Sequence, residues 1–428
     1  MKLSCPHFGE CGGCSLLDIT SEEQLHLKEN EMELLFSPVL KEHSPAIDYK
    51  DIYKGAVASP DPYYYRNKME FSFGDAMKNG PLTLGLHKKK SFYDVLTTDS
   101  CVLAHPDFNE IVKVTLSFFS ERKIPYVRKR SHEGILRHLL VRRGRNTGEL
   151  LIDLVTTTQG GEAFETLLPL WRDKLLSLSL ENRIVSILHT KNDSLADAVI
   201  DEGTEVLYGG ASFHDTVLSL SFEISPFSFF QTNTRGAEEL YSYVRELAKG
   251  VLSERSGLIY DLYCGTGTIT QLMSPSAEKV VGVEIVEEAV EKARLNAKEN
   301  GIGNVSFIAS DVFVALDSLS EKPDLIILDP PREGVQKKSL DKILSYEVEN
   351  IIYISCKPKS LARDLPFFFE KGYSPVSMKL FDMFPFTKNV ETVCLLGRRK
   401  PDDTIKVSVN MDDYYQIRDA EEAEKNPS

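Results

Sequence analysis

Residues 258–270 read Leu258-Ile259-Tyr260-Asp261-Leu262-Tyr263-Cys264-Gly265-Thr266-Gly267-Thr268-Ile269-Thr270, an apolar run that closes on an acid and then on two glycines one residue apart. The run reads as a buried strand, and Gly265 and Gly267 permit a tight turn into a helix with close backbone approach to a ligand. Further short apolar runs follow at 280–284, 305–308, 325–329, 351–355 and 392–396, with helical stretches between them. Their alternation predicts βαβ units and a doubly wound parallel sheet. Thr270 stands where the dinucleotide fingerprint has its third glycine, which disfavours a pyrophosphate on the helix N-terminus. Acids close the successive strands instead. Glu284 ends the second, 17 residues beyond Gly267, where it could accept both hydroxyls of a ribose; Asp311 follows the third, and Asp329 ends the fourth as Asp329-Pro330-Pro331-Arg332. A crevice so lined suits a phosphate-free, sulfonium-bearing cofactor better than a nicotinamide dinucleotide.

Two other groups of residues carry chemistry. The fifth run ends Ser355-Cys356-Lys357-Pro358, placing a thiol at the carboxyl edge of the sheet, where Lys357 and the strand end could favour the thiolate. Glu391, 35 residues on, precedes the last apolar run. A nucleophile with a base beside a methyl donor is what carbon methylation of a pyrimidine needs, because C5 of uracil reacts only after C6 has been attacked. Cys264 and Cys394 read as packing. At the front, Cys5, Cys11 and Cys14 lie among Gly9, Gly12 and Gly13, with Cys101 as a distant fourth. That is ligand spacing, which fits tetrahedral zinc or a [4Fe-4S] cluster equally.

The 428 residues carry a net charge of −14, which taken alone argues against a nucleic-acid partner. Its distribution argues otherwise. The last 28 residues hold eight acids against three bases, whereas nine Lys or Arg between Arg122 and Arg145 face only Glu133. Within that segment Arg128, Lys129, Arg130, Arg137, Arg142 and Arg143 alternate with apolar residues, so an RNA-facing surface on ordered strands is expected, with Lys88, Lys89 and Lys90 as a smaller run. Residues 52–222 read mainly as strands with glycine turns, an antiparallel α+β region, and 21–36 as a helix able to pack on the catalytic domain. No run approaches the roughly 18 apolar residues of a membrane span, and residues 1–5 lack an apolar signal core, so a cytoplasmic protein is expected; it is read as a monomer.

Taken together, the stretches 225–234 (Ser-Pro-Phe-Ser-Phe-Phe-Gln-Thr-Asn-Thr), 261–267, 328–332, 353–358 and 389–392 (Asn-Val-Glu-Thr) resemble the RNA uracil-5-methyltransferases of the class I, S-adenosylmethionine-dependent type, and most of all the 23S ribosomal RNA branch that carries a [4Fe-4S] cluster. The resemblance implies a Rossmann-like methyltransferase domain at 223–400, an iron–sulfur and RNA-binding α+β domain at 1–222, and an acidic tail at 401–428. It implies Cys356 as nucleophile at C6 of the uridine and Glu391 as the base that removes the C5 proton. Gln231, Tyr263, Gly265, Gly267, Thr268, Glu284, Asp311 and Asp329 would hold the cofactor or orient the base, with Phe229 or Phe230 against the flipped ring. It implies the cluster rather than zinc at Cys5, Cys11, Cys14 and Cys101. Many ribosomal members carry a small RNA-binding barrel ahead of the cluster motif, whereas four residues precede Cys5 here, so the middle region is expected to supply RNA affinity. Ribosomal RNA ranks ahead of transfer RNA as the target. Cytosine methylation ranks low because Asp329-Pro330-Pro331-Arg332 lacks that reaction's cysteine, as do a non-catalytic RNA-binding protein and a redox enzyme.

Overall fold

Runs of three to nine residues build seventeen strands among the described residues: β1 (Tyr53–Val57), β2 (Lys68–Asp75), β3 (Leu82–His87), β4 (Val95–Thr97), β5 (Leu136–Arg143), β6 (Glu149–Thr156), β7 (Arg183–Lys191), β8 (Thr204–Gly209), β9 (Phe213–Val217), β10 (Leu220–Ile224), β11 (Leu258–Leu262), β12 (Lys279–Glu284), β13 (Val305–Ala309), β14 (Leu325–Leu328), β15 (Asn350–Ser355), β16 (Tyr373–Phe381) and β17 (Glu391–Arg398). The computed structural model describes residues 3–196, 198–252 and 257–398, so the acidic tail expected at 401–428 lies outside the described residues. No helix among them is long and apolar enough to cross a membrane.

The larger sheet runs in the order β1-β16-β17-β15-β14-β11-β12-β13. All its pairings are parallel except those of β17 with β15 and β16. The order turns at β11, which lies between β12 and β14, and the crevice beyond the carboxyl ends of these strands is where such sheets bind ligands. Two of its strands lie outside the apolar runs. β16 contains Pro375 and a register shift between Pro375 and Ser377, which interrupts the hydrophobic pattern. β1 reaches the sheet from before the middle region and pairs parallel to β16.

The helix Ser21–His43 also joins this sheet's core. Its Met32, Phe36 and Leu40 pack with strands β11, β14 and β15 and with the helix Pro358–Glu370. Thr20 rather than Ser21 caps it, in a reciprocal box with Glu23, and it continues past residue 36 through Pro38. Packing therefore assigns 21–57 to the methyltransferase-like sheet although sequence order groups it with the residues that follow. Helix Thr234–Leu252 and the β9–β10 hairpin cover the other face.

The middle sheet has the order β4-β3-β2-β5-β6-β7-β8 and is antiparallel except for β6 with β7, which the helices Gly161–Glu165 and Leu168–Leu176 connect. Strand β5 is central, and every one of its eight residues is buried. That corrects the expectation for half of the basic cluster. Arg142 is 1% exposed, and its Nη1 donates to the carbonyls of Ser225, Pro226 and Ser228 at 2.7, 3.0 and 2.8 Å. Arg137 is likewise buried and donates to the carbonyls of Asn192, Ser194 and Ala196. Arg143 is buried too, and its loss of water lowers its pKa. Alternation with apolar residues signalled a strand covered on both faces, not one basic surface. Only Arg128, Lys129 and Arg130 of the six lie in an accessible turn. Replacing Arg142 by Met strips three carbonyls of a charged donor and should cost about 3 kcal/mol in chemical unfolding. Unchanged stability in that variant would mean the guanidinium does not hold the 225–228 segment.

Candidate active site

The turn after β11 is built on three residues in the left-handed region: Tyr263 (φ 69°), Gly265 (φ 54°) and Gly267 (φ 73°). At Gly267 a Cβ would lie 2.5 Å from the Phe307 ring, so that position demands glycine to pack, whereas a Cβ at Gly265 would meet nothing within 4 Å. Room for a ligand therefore lies over Gly265. Glu284 faces the same turn: its Oε2 accepts from the Gly265 amide at 3.1 Å, and its Oε1 accepts from the amides of Ile285 and Val286. These bonds hold the carboxylate while leaving lone pairs for hydroxyl donors. Asp311 lies at the crevice too, electrostatically near Tyr263, and caps the helix Val312–Ser318 through Phe313. Thr268 is buried at the helix start, and Cys264 packs against Gly282 as a small hydrophobe.

Beside this turn Cys356, Asp329 and Glu391 share one electrostatic neighbourhood. Burial, followed by the negative charges of Glu391 and Asp329 and opposed by Arg332, pushes the Cys356 thiol up to about 11. The thiol is thus held protonated at neutral pH, the opposite of the thiolate that Lys357 was expected to favour. Glu391 is 3% exposed, and burial with the adjacent Asp329 charge raises it to about 8, against the pull of Arg332. Asp329 and Asp261 are each raised to about 7, chiefly by burial. Gln231 is hydrogen-bonded to Tyr241, a buried hydroxyl that feels both Asp329 and Glu391. Tyr241 sits inside a helix with no motif to mark it. Arg332 stood in a motif noted for its acid. Of the two aromatics, Phe229 is 68% exposed and Phe230 is packed against Phe222, so only Phe229 is open to a ring.

The profile of the tRNA (Uracil-5-)-methyltransferase family matches residues 214–399, which contain all of these groups. A protein of Caldanaerobacter subterraneus subsp. tengcongensis described as an RNA methyltransferase is 47% identical over 92% of this chain and 84% of its own length. A Clostridium tetani protein of the same description is 43% identical over 93% and 84%. The chain belongs to the RNA uracil-5-methyltransferase family. The solved structure of Pyrococcus abyssi tRNA (uracil-54, C5)-methyltransferase with S-adenosyl-L-homocysteine has the same fold, with a TM-score of 0.68, 24% identity, and coverage of 91% of this chain and 86% of that one. This RNA methyltransferase therefore has the fold of S-adenosylmethionine-dependent enzymes.

In this family member the segment leading to Glu391 is gripped from the N-terminus. Lys28 Nζ donates to Asp382 Oδ1 at 2.6 Å, both side chains being at most 3% exposed. Gln24 Oε1 accepts from the Phe386 amide at 2.6 Å, and the amides of Ser15 and Leu16 donate to the Phe386 carbonyl. Just upstream, Cys5, Cys11, Cys14 and Cys101 line a single cavity of about 380 Å³ together with Arg66. Burial followed by the neighbouring cysteines' charges raises Cys14 to about 12, and burial also raises Cys11 and Cys101. Among the described residues no three of His, Cys, Asp and Glu close tightly enough to hold one metal ion.

A carboxyl raised from the ordinary range to about 8 keeps its proton in the folded protein and loses it when unfolded. Its stabilisation is present in acid and disappears as pH rises through 8. Glu391→Gln should therefore melt several degrees above the wild type at pH 8.5, with the gap closing by pH 5 in scanning calorimetry. Identical melting at both pH values would show that Glu391 is ionised in the folded protein.

Proposed function

We propose that the protein methylates C5 of a specific uridine in RNA, ribosomal RNA ahead of transfer RNA, through a covalent adduct to Cys356. The observation that carries this reading is the electrostatic coupling of Cys356 to the buried Glu391 and to Asp329, whose amide donates to the Leu262 carbonyl at the end of the strand leading into the Gly265 turn. The donor, S-adenosylmethionine, supplies an electrophilic methyl group on a sulfonium. The open space over Gly265 and the held carboxylate of Glu284 fit it, with Tyr263, Gly267, Thr268, Asp311 and Asp329 completing the crevice. Its positive charge also suits the buried acids, and by drawing on their field it lowers the cost of ionising Cys356.

Cys356 gives up its thiol proton to solvent, its sulfur pair forms the bond to C6 of the uridine, and the C5=C6 pair shifts toward C5, which becomes nucleophilic. C5 would take the methyl group from the sulfonium, which leaves as a neutral thioether; the ionised carboxylate of Glu391 then takes the C5 proton, the C6–S bond breaks, and the electron pair returns to sulfur as thiolate. Only the ionised fraction of Glu391 accepts that proton, a fraction that grows as pH rises toward 8. Phe229 stacks on the displaced ring, and Gln231, held by Tyr241, faces its edge. A transfer-RNA target is the second reading, favoured by the fold shared with the Pyrococcus abyssi enzyme. Mapping 5-methyluridine in ribosomal and transfer RNA with and without the gene separates the two. Complementation with Cys356→Ala should restore none of the mark, and Glu391→Gln should accumulate protein covalently joined to methylated RNA on denaturing gels. Full methylation by Cys356→Ala would refute the covalent route.

A [4Fe-4S] cluster bound by Cys5, Cys11, Cys14 and Cys101 belongs to the same proposal, supported by the shared cavity and by its size, which exceeds what one ion needs. The cluster is structural, since methyl transfer has no redox step, and the protein works as a cytoplasmic monomer. Prepared without oxygen, it should be brown, absorb broadly near about 400 nm and contain four irons per chain. A colourless protein holding one zinc would overturn the cluster.

A further inference from the structure

Two exposed aromatic rings stand away from the catalytic crevice and have no part in it. Phe92 is 61% and Tyr93 52% exposed, on the turn between β3 and β4, with ring centroids 5.5 Å apart and nearly perpendicular. Large apolar rings left in water on a turn are unfavourable unless something covers them. Here the turn is held rather than loose. The Lys88 amide donates to the Asp94 carbonyl, Ser91 Oγ accepts from the amides of Tyr93 and Asp94, and the Lys89 amide donates to the Glu10 carbonyl in the cysteine loop.

A second turn, 126–132, brings cations to the same place. Lys129 Nζ lies 4.0 Å from the Phe92 ring centre and donates to the Phe92 carbonyl at 2.7 Å; the Arg130 guanidinium lies 5.6 Å from the Tyr93 ring. Arg128 is anchored to Asn79 beside them, and Lys88, Lys89 and Lys90 project from the first turn. Asp94 and Glu133 are the acids within these turns. A small cavity of about 120 Å³ opens beside the Phe92 ring, with Lys129, His132 and Leu195 on its walls.

We propose that Phe92 and Tyr93 form a base-stacking platform for a single-stranded RNA segment, with the surrounding cations on its phosphates. The pairing of exposed rings with cations on a rigid turn is what unpaired nucleotides need: a π-face for the base, and positive charge for the backbone, which also polarises the ring it covers. A duplex keeps its bases stacked internally and gains only the electrostatic part. This deepens the RNA-methyltransferase reading and rests on it for the class of partner.

The test measures binding without methyl donor, using a 2-aminopurine-labelled single-stranded RNA of about 12 nucleotides and its duplex. Wild-type protein should prefer the single strand and quench the label on stacking. Phe92→Ala with Tyr93→Ala should weaken single-strand binding roughly tenfold and abolish the quench, leaving duplex binding near the wild-type value. Phe92→Trp should keep both properties, and Phe92→Leu, which keeps apolar area without the π-face, should lose the quench. Lys89→Ala with Lys90→Ala should weaken both ligands and flatten the salt dependence. Wild-type affinity and quenching in the double aromatic variant would overturn the platform, as would the absence of any single-strand preference in the wild type. Uridine methylation by the same preparations is scored separately, so a failed platform and a failed enzymatic reading give different patterns.

Discussion

Three carboxyl groups, Asp261, Asp329 and Glu391, are raised chiefly by burial, with the charge of Asp261 adding to Asp329 and that of Asp329 to Glu391, and Arg332 is the cation that acts on both Glu391 and Cys356. Bringing like charges out of water costs stability, so they remain there only if the surrounding structure over-determines their positions. Strand register supplies part of that constraint. β11 and β14 align Leu262 with Leu328, fixing where Asp329 leaves the sheet, and β16 aligns Phe381 with Glu391. The rest is supplied from far away in the sequence, by Lys28 on Asp382 and Gln24 on Phe386. Breaking the Lys28 pair would leave an uncompensated buried charge next to the segment that carries the base, which makes the N-terminal helix part of the site's architecture.

The same logic joins the middle sheet to the catalytic one. Asn67, at the edge of β2, donates through its side chain to the Gln231 carbonyl and to Thr234, while its amide donates to the Thr232 carbonyl. Arg142 holds the preceding carbonyls of 225–228. The stretch bearing Phe229 and Gln231 is therefore suspended from the middle sheet by buried polar groups and from the larger sheet's side by Thr234 at the start of its helix. Thr232 also lines the cysteine cavity. A rigid connection of this kind keeps a substrate-facing segment from relaxing when the ligand is absent, which is what pre-organisation requires.

How much of this could be read in the chain follows from the range of each signal. The Gly265–Gly267 turn, the acids at strand ends and six of the eight strands of the larger sheet are local patterns, and they stand where the sequence reading put them. β1 and β16 are not local: one is recruited from before the middle region, and the other is broken by Pro375. The basic segment misled for a related reason. Arg137 and Arg142 satisfy carbonyls 55 and 83 or more residues away, and no composition rule separates an arginine that spans a core from one that meets a phosphate. Cys356 is a third case. Its neighbour Lys357 promised a thiolate, but the groups that set its ionisation, Glu391 and Asp329, arrive through the fold.

A net charge of −14 and an RNA substrate are compatible because the two signs are segregated by depth as well as by sequence. Part of the acid lies inside, where burial raises Asp261, Asp329 and Glu391 and so lowers the negative charge they carry near neutral pH. Part of the base is also inside, spent on holding loops. What an approaching polyanion meets is decided by the residue left over in the turns, and those turns present lysines and arginines around exposed rings. Fields beyond about one Debye length are screened at physiological salt, so this local surface outweighs the sum over the chain. The charge that these crevice acids retain favours a sulfonium over a second phosphate group.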